Sequence, residues 1–129
     1  MKIILVDAVD TFVIEGQGIY QPLYDLLEKY SNLKIIVSNA NDEQMVMWGL
    51  VNLPYEFFTL KHSPDKTDPE YFKQLLTKFN LRPKNVLYFE HNPEAVKSAE
   101  SVGIVSYYYD PVKKDLESLV KFFSNNLGN

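Results

Sequence analysis

The chain contains no cysteine, which rules out a disulfide framework, a thiol nucleophile and any thiolate zinc site. A basic excess is missing too: 13 Lys and Arg stand against 17 Asp and Glu, a formal net charge of -4. That leaves no basic stripe to track a phosphate backbone and excludes a nucleic-acid module held by electrostatics. Long apolar runs are absent. The first, Ile3-Ile4-Leu5-Val6, stops at Asp7, too short for a signal peptide or a membrane span, so a cytoplasmic protein without membrane attachment is expected. With 5 Gly, 7 Pro, 46% apolar and 23% charged residues there is no low-complexity bias, and the usage is that of a folded protein. A length of 129 residues predicts one domain over 1–129, with no room for a second, substrate-selecting domain. Aromatics, by contrast, are plentiful: 1 Trp, 9 Tyr and 8 Phe, enough for tyrosine to enter the core as well as the surface.

Short unbroken apolar runs recur at Ile3–Val6, Lys34–Val37, Phe57–Leu60, Val86–Phe89 and Ile104–Tyr109. Continuous β-branched and aromatic runs read as strands buried on both faces of a parallel sheet. Helical spacing separates them. Ile19, Leu23, Leu26, Leu27 and Tyr30 share one helical face, and Tyr71, Leu75, Leu76 and Phe79 share another. Asp68-Pro69 and Asn92-Pro93-Glu94 each place a capping side chain before a proline at the first helical position. A short helix is predicted over Asp42–Leu50 and a last one through Leu116, Leu119, Val120 and Phe123. The β-α order repeats without internal repeat or linker, which predicts an α/β three-layer Rossmann-like fold with a five-stranded parallel sheet and helices on both faces.

In such sheets ligands bind beyond the carboxyl ends of the strands. The residues closing the first, second and fourth predicted strands are Asp7, Ser38 and Glu90, and Lys66 enters the third long helix. Two carboxylates able to hold a cation such as Mg²⁺, a hydroxyl and an ammonium form a site for a dianion such as phosphate. Aspartate is then the natural nucleophile for an acyl-phosphate intermediate.

These residues resemble the motifs of the haloacid-dehalogenase-like (HAD) hydrolases. Asp7-Ala8-Val9-Asp10-Thr11 is similar to the first motif, Asp-x-Asp-x-Thr; Ile35-Ile36-Val37-Ser38-Asn39-Ala40 to the second; Lys66-Thr67-Asp68-Pro69 to the lysine motif; and Val86–Ile104, with Asn92-Pro93-Glu94, to the fourth. The resemblance covers nearly the whole chain. It implies a Mg-dependent phosphohydrolase with Asp7 as nucleophile, Ser38, Asn39 and Lys66 on the phosphate, Mg²⁺ on Asp7, the Val9 carbonyl and Glu90, and Thr11 supporting Asp7. It also implies a core without a cap domain, because the intervals Phe12–Leu33 and Asn41–Asp65 are each too short for one. Substrate selection would then fall to a macromolecular substrate or to a second copy acting as lid in a homodimer.

The chain departs from the pattern at two places. Val9 stands where the family has its second aspartate, the leaving-group acid, a loss expected to cost about 10²–10⁴ in rate for an alkyl phosphate. Asp10, one position later, reads as either a shifted acid or a turn-capping carboxylate. Glu90-His91 replaces the usual Asp-Asp; Glu still ligates a hard cation, and His91 is a candidate substitute acid or base. Three function classes follow: a phosphohydrolase for acyl or aryl phosphates; a catalytically silent protein that binds a phosphorylated ligand or protein partner; and a haloacid dehalogenase. The last is disfavoured because the sole arginine, Arg82, precedes the fourth strand at the wrong sheet edge. A receiver domain is excluded, since Thr59-Leu60-Lys61 offers no phosphoacceptor aspartate after the third strand. His62 is read as a surface residue without a partner; Phe12, Val13 and Ile14 read as core ahead of a flap over the site, and Met45, Met47 and Trp48 as core ahead of a dimer contact.

Overall fold

A computed structural model describes residues 1–127. The first predicted strand forms β1 (Ile3–Asp7), followed by two elements the hydrophobic pattern does not announce, β2 (Val13–Ile14) and β3 (Gly18–Ile19). Two-residue strands are too short for any periodicity to register. They pair as an antiparallel ribbon, Val13 opposite Ile19. The chain continues through α1 (Gln21–Leu27), β4 (Lys34–Ser38), α2 (Asp42–Met47), β5 (Glu56–Thr59) and α3 (Pro69–Lys78). It ends with β6 (Val86–Glu90), α4 (Pro93–Ser101), β7 (Val105–Tyr108) and α5 (Leu116–Asn126).

Five strands form one sheet in the order β5-β4-β1-β6-β7, every pairing parallel. Side chains alternate across it, so each strand feeds two cores. On one face Ile4, Val6, Ile36, Leu87 and Phe89 pack against Leu23 and Leu27 of α1 and Leu119 and Phe123 of α5. On the other Leu5, Val37, Phe58 and Tyr88 pack against Tyr71, Phe72 and Leu75 of α3 and Ala99 of α4. The expected three-layer α/β architecture is what forms. The edge strands carry less: Val105 and Tyr108 of β7 are exposed, so the continuous run over 104–109 marks an edge strand that is only partly covered. β5 starts one residue earlier than the apolar run suggests, with exposed Glu56. Among the described residues no helix is long and apolar enough to cross a membrane, and the expected cytoplasmic location goes no further than that.

Helix starts follow local chemistry. The Asn41 side chain accepts from Gln44 N while the Gln44 side chain accepts from Asn41 N, a reciprocal capping box. Asp68 accepts from Glu70 N and Asn92 from Glu94 N, each before a proline that has no amide to leave unpaired. These two caps fix where α3 and α4 begin, and therefore where Lys66, Glu90 and His91 stand. Phe12 and Val13 are core, as expected. Met47 is not: α2 turns it outward, as it does Val46, because six residues give one face of contact and only Met45 and Trp48 reach the core. The two inter-motif intervals hold only the ribbon with α1, and α2 with β5, so no cap is inserted among the described residues.

Candidate active site

β1 lies between β4 and β6, and the chain reverses its direction of travel across the sheet after β5. That switch point puts the carboxyl ends of the three central strands around one crevice. Asp7, Ser38 and Glu90 close these strands and are all buried. The backbone after Asp7 folds back at once: Phe12 N donates to the Asp7 carbonyl at 3.2 Å and Val13 N to the Ala8 carbonyl at 3.0 Å. Asp10 sits at the apex with φ of 68°, a left-handed turn that Asp tolerates. This tight loop delivers the Thr11 hydroxyl to Asp7 Oδ2, 2.6 Å away.

Lys66 enters from the loop before α3. Its backbone N–H donates to the Asn39 side-chain oxygen at 2.7 Å, and its Nζ donates to Asp7 Oδ1 and Glu90 Oε1, each at 2.7 Å. His91 completes the group. Its Nδ1 hydrogen-bonds Asp7 Oδ2, its backbone N–H donates to the same oxygen at 3.2 Å, and Nδ1 lies 3.3 Å from Glu90 Oε2. Glu90 also accepts from the Tyr88 hydroxyl and from Asn92 N at 3.0 Å. Asp7, Glu90 and His91 form a compact cluster of metal-type ligand atoms, all within 4.8 Å of one another.

Burial sharpens the electrostatics of this cluster. Burial alone would raise the Asp7 pKa, but the Lys66 charge and the His91 hydrogen bond and charge hold it well below the usual carboxylate range. Burial would likewise lower Lys66, and the Asp7 and Glu90 charges outweigh it and raise it. Glu90 is pushed up to about 7, first by burial and then by the neighbouring Asp7 charge. His91 loses to burial but gains more from the hydrogen bond and charge of Asp7 and the charge of Glu90, so its pKa is raised. Asp7 is thus an ionised carboxylate between the Lys66 ammonium and the His91 ring.

The crevice encloses about 320 Å³ and is lined at its floor by Asp7, Ser38, Asn39, Lys66, Glu90 and His91. Val9, Asp10, Glu15, Trp48 and His62 form its walls and rim. Two rim residues differ from expectation. His62 has partners: its ring nitrogens lie 2.8 Å from Asp65 Oδ1 and 2.6 Å from Gln44 Oε1. Trp48 is half-buried, with one side on the core and the crevice on the other. Asp10 is exposed, its carboxylate 3.8 Å from His91 Nε2.

Two tyrosines that sequence reasoning did not place in the site hold it from behind. The Tyr71 hydroxyl donates to the Ser38 carbonyl at 2.7 Å, and Tyr88 supports Glu90. Their rings belong to a chain of edge and tilted contacts, Phe58–Tyr71 at 5.3 Å, Tyr71–Phe72 at 5.0 Å and Phe72–Tyr88 at 5.1 Å. A signal existed for one of them: Tyr88 and Glu90 are two residues apart on a strand and so face the same way.

No protein-family model matches this chain, and no curated protein matches it. Solved structures do. The core domain of a candidate phosphoglycolate phosphatase from Streptococcus pneumoniae matches with a TM-score of 0.63 and 16% identity over 95% of each chain. The chain has the haloacid-dehalogenase-like fold. An uncharacterised Corynebacterium glutamicum protein matches over 96% of both chains, with a TM-score of 0.62 and 15% identity. A haloacid-dehalogenase-family enzyme of Bacteroides thetaiotaomicron, in complex with magnesium and inorganic phosphate, matches with a TM-score of 0.62 and 21% identity over 78% of this chain. The present chain spans 57% of that enzyme's length. On the haloacid-dehalogenase-like sheet, the end that carries Asp7 also carries Ser38, Lys66, Glu90 and His91, whereas Arg82 precedes the short 3-10 turn before β6, at the opposite sheet edge.

Proposed function

We propose that this protein is a phosphohydrolase that acts on acyl or aryl phosphates through an Asp7 acyl-phosphate. The observation that carries this reading is the state of Asp7, a buried, ionised carboxylate at the floor of an open crevice, with Lys66 and His91 on its two oxygens. Unused donors surround it. Among the described residues the Ser38 hydroxyl proton and the Asn39 side-chain N–H groups meet no protein acceptor, while the Ser38 oxygen accepts from Ala40 N and the Asn39 oxygen is taken by Lys66. Those donors and the third Lys66 N–H suit the oxygens of a phosphoryl group.

In the first step an Asp7 oxygen attacks phosphorus and the bond to the leaving-group oxygen breaks, its electron pair departing with that oxygen. An acyl or phenolic oxygen is stable enough to leave unprotonated, which suits a loop with Val9 in place of an acid. In the second step water attacks phosphorus, the Asp7–phosphorus bond breaks, and the proton passes to His91 or through it to Asp10. Magnesium, which the Bacteroides enzyme carries, would have to share Asp7 and Glu90 oxygens that each already accept from a protein donor.

The test is release of inorganic phosphate from an aryl phosphate. Wild type should turn over and Asp7→Asn should lose the activity by at least about 10³-fold; equal rates in the two would end the proposal. The saturation of Asp7 by donors favours a second reading, a silent binder of phosphorylated ligands. Orthophosphate binding without turnover, and without any gain in Val9→Asp, would select it.

A further inference from the structure

A magnesium ion asks for near-octahedral oxygen ligands at about 2.0–2.1 Å, with lone pairs left free to face it. At the ends of β1 and β6 every carboxylate oxygen of Asp7 and Glu90 already accepts from a protein donor. Asp7 Oδ1 takes Lys66, and Asp7 Oδ2 takes Thr11, the His91 amide and the His91 ring. Glu90 Oε1 takes Lys66 and Tyr88, and Glu90 Oε2 takes Asn92 N with the His91 ring 3.3 Å away. The His91 Nδ1 also stands against both carboxylates, hydrogen-bonded to Asp7 Oδ2 and 3.3 Å from Glu90 Oε2. With its proton on Nδ1 the ring brings a hydrogen-bond donor where a carboxylate would have brought another acceptor.

We infer that this chain closes its site with the His91 ring in place of a divalent metal, so that a phosphate-class anion is held against Asp7 by protein donors alone. The arrangement has a physical logic. Removing one carboxylate from a magnesium site leaves the ion short of ligand and charge, whereas replacing that carboxylate by a donor neutralises the remaining acids directly. The half-exposed position of His91, 28% of its side chain accessible, lets the same ring meet a ligand in the crevice. The inference rests on the proposed reaction only for the identity of the anion.

Two titrations by calorimetry test it, Mg²⁺ into the protein and orthophosphate into the protein with EDTA present. Wild type should give no Mg²⁺ binding at millimolar concentration and should bind orthophosphate equally with EDTA or Mg²⁺. His91→Asp should gain Mg²⁺ binding, and its phosphate binding should become dependent on the ion. His91→Asn, which removes the ring without adding charge, should weaken metal-free phosphate binding about tenfold or more, with no rescue by Mg²⁺. Wild-type Mg²⁺ binding that His91→Asn leaves intact, phosphate binding that requires Mg²⁺, or no phosphate binding under either condition would each overturn the inference. Aryl-phosphate turnover that occurs only with Mg²⁺ would overturn it while sparing the phosphohydrolase reading; metal-free phosphate binding without turnover would do the reverse.

Discussion

Two histidines of this protein each face an aspartate, and the surroundings of the two pairs are opposite. His91 meets Asp7, whose side chain is 1% exposed, in a cluster sealed by Lys66, Glu90, Tyr88 and Thr11. His62 meets Asp65 with both side chains at least 40% exposed, on a loop at the crevice rim. The chemistry of the pairs is the same and the dielectric is not. In the buried cluster each charge depends on its neighbours, since an uncompensated ion cannot turn to water. At the rim, water screens whatever the protein leaves unpaired. The inner pair therefore has the ingredients of reactivity, and the outer one those of a loop tether.

Lys66→Ala should break the contrast most strongly. It strands Asp7 and Glu90 without their shared cation and should cost about 3–5 kcal/mol of stability, read as a fall in the urea midpoint. This is a large part of the roughly 5–15 kcal/mol that a domain possesses.

A smaller effect is expected from pH. Glu90, faced by Asp7, Lys66, Tyr88 and His91, titrates at about 7 rather than 4.5, so the folded state favours its protonated form. The stability this contributes is present in full below pH 4.5 and is lost as pH rises through about 7. His91 acts in the same sense, its raised value contributing stability that is complete below pH 6.5 and lost above. Asp7 acts in the opposite sense, its lowered value costing stability only as pH falls below 3.8. The melting temperature should consequently decline by several degrees from pH 6 to pH 8, and Glu90→Gln should flatten that decline. A wild-type profile rising over the interval would contradict the assignment.

The smallest effect belongs to the rim. His62→Ala should change stability by less than about 1 kcal/mol, in the same urea experiment, and a larger loss would show that the outer pair supports the fold after all.

Much of this was written in the chain. The strand positions, the two-faced sheet and the convergence of Asp7, Ser38 and Glu90 follow from unbroken apolar runs that each end on a polar residue, because burial on both faces leaves only the strand end free for chemistry; Lys66 is placed by the Asp68-Pro69 helix start two residues on. The ribbon of Val13–Ile14 with Gly18–Ile19 was not legible, since it is held by a local turn rather than by a periodic face. The outward direction of Met47 was hidden because its helix is too short to reveal a stripe. Of the two partners of His62, Asp65 lies only three residues on, whereas Gln44 is 18 residues earlier and only the fold brings it near. The tyrosine excess, unexplained by composition, resolves in part into hydroxyls behind Ser38 and Glu90: a tyrosine fills core volume like phenylalanine and still satisfies a buried acceptor.

Trp48 offers a practical consequence. It is the only indole in the chain, and one side of it borders the same crevice as Asp7 and His91. The protein thus carries a built-in optical reporter: an anion or leaving group entering the crevice alters the polarity around that ring, so occupancy can be followed by emission from the native chain, without a label and without turnover.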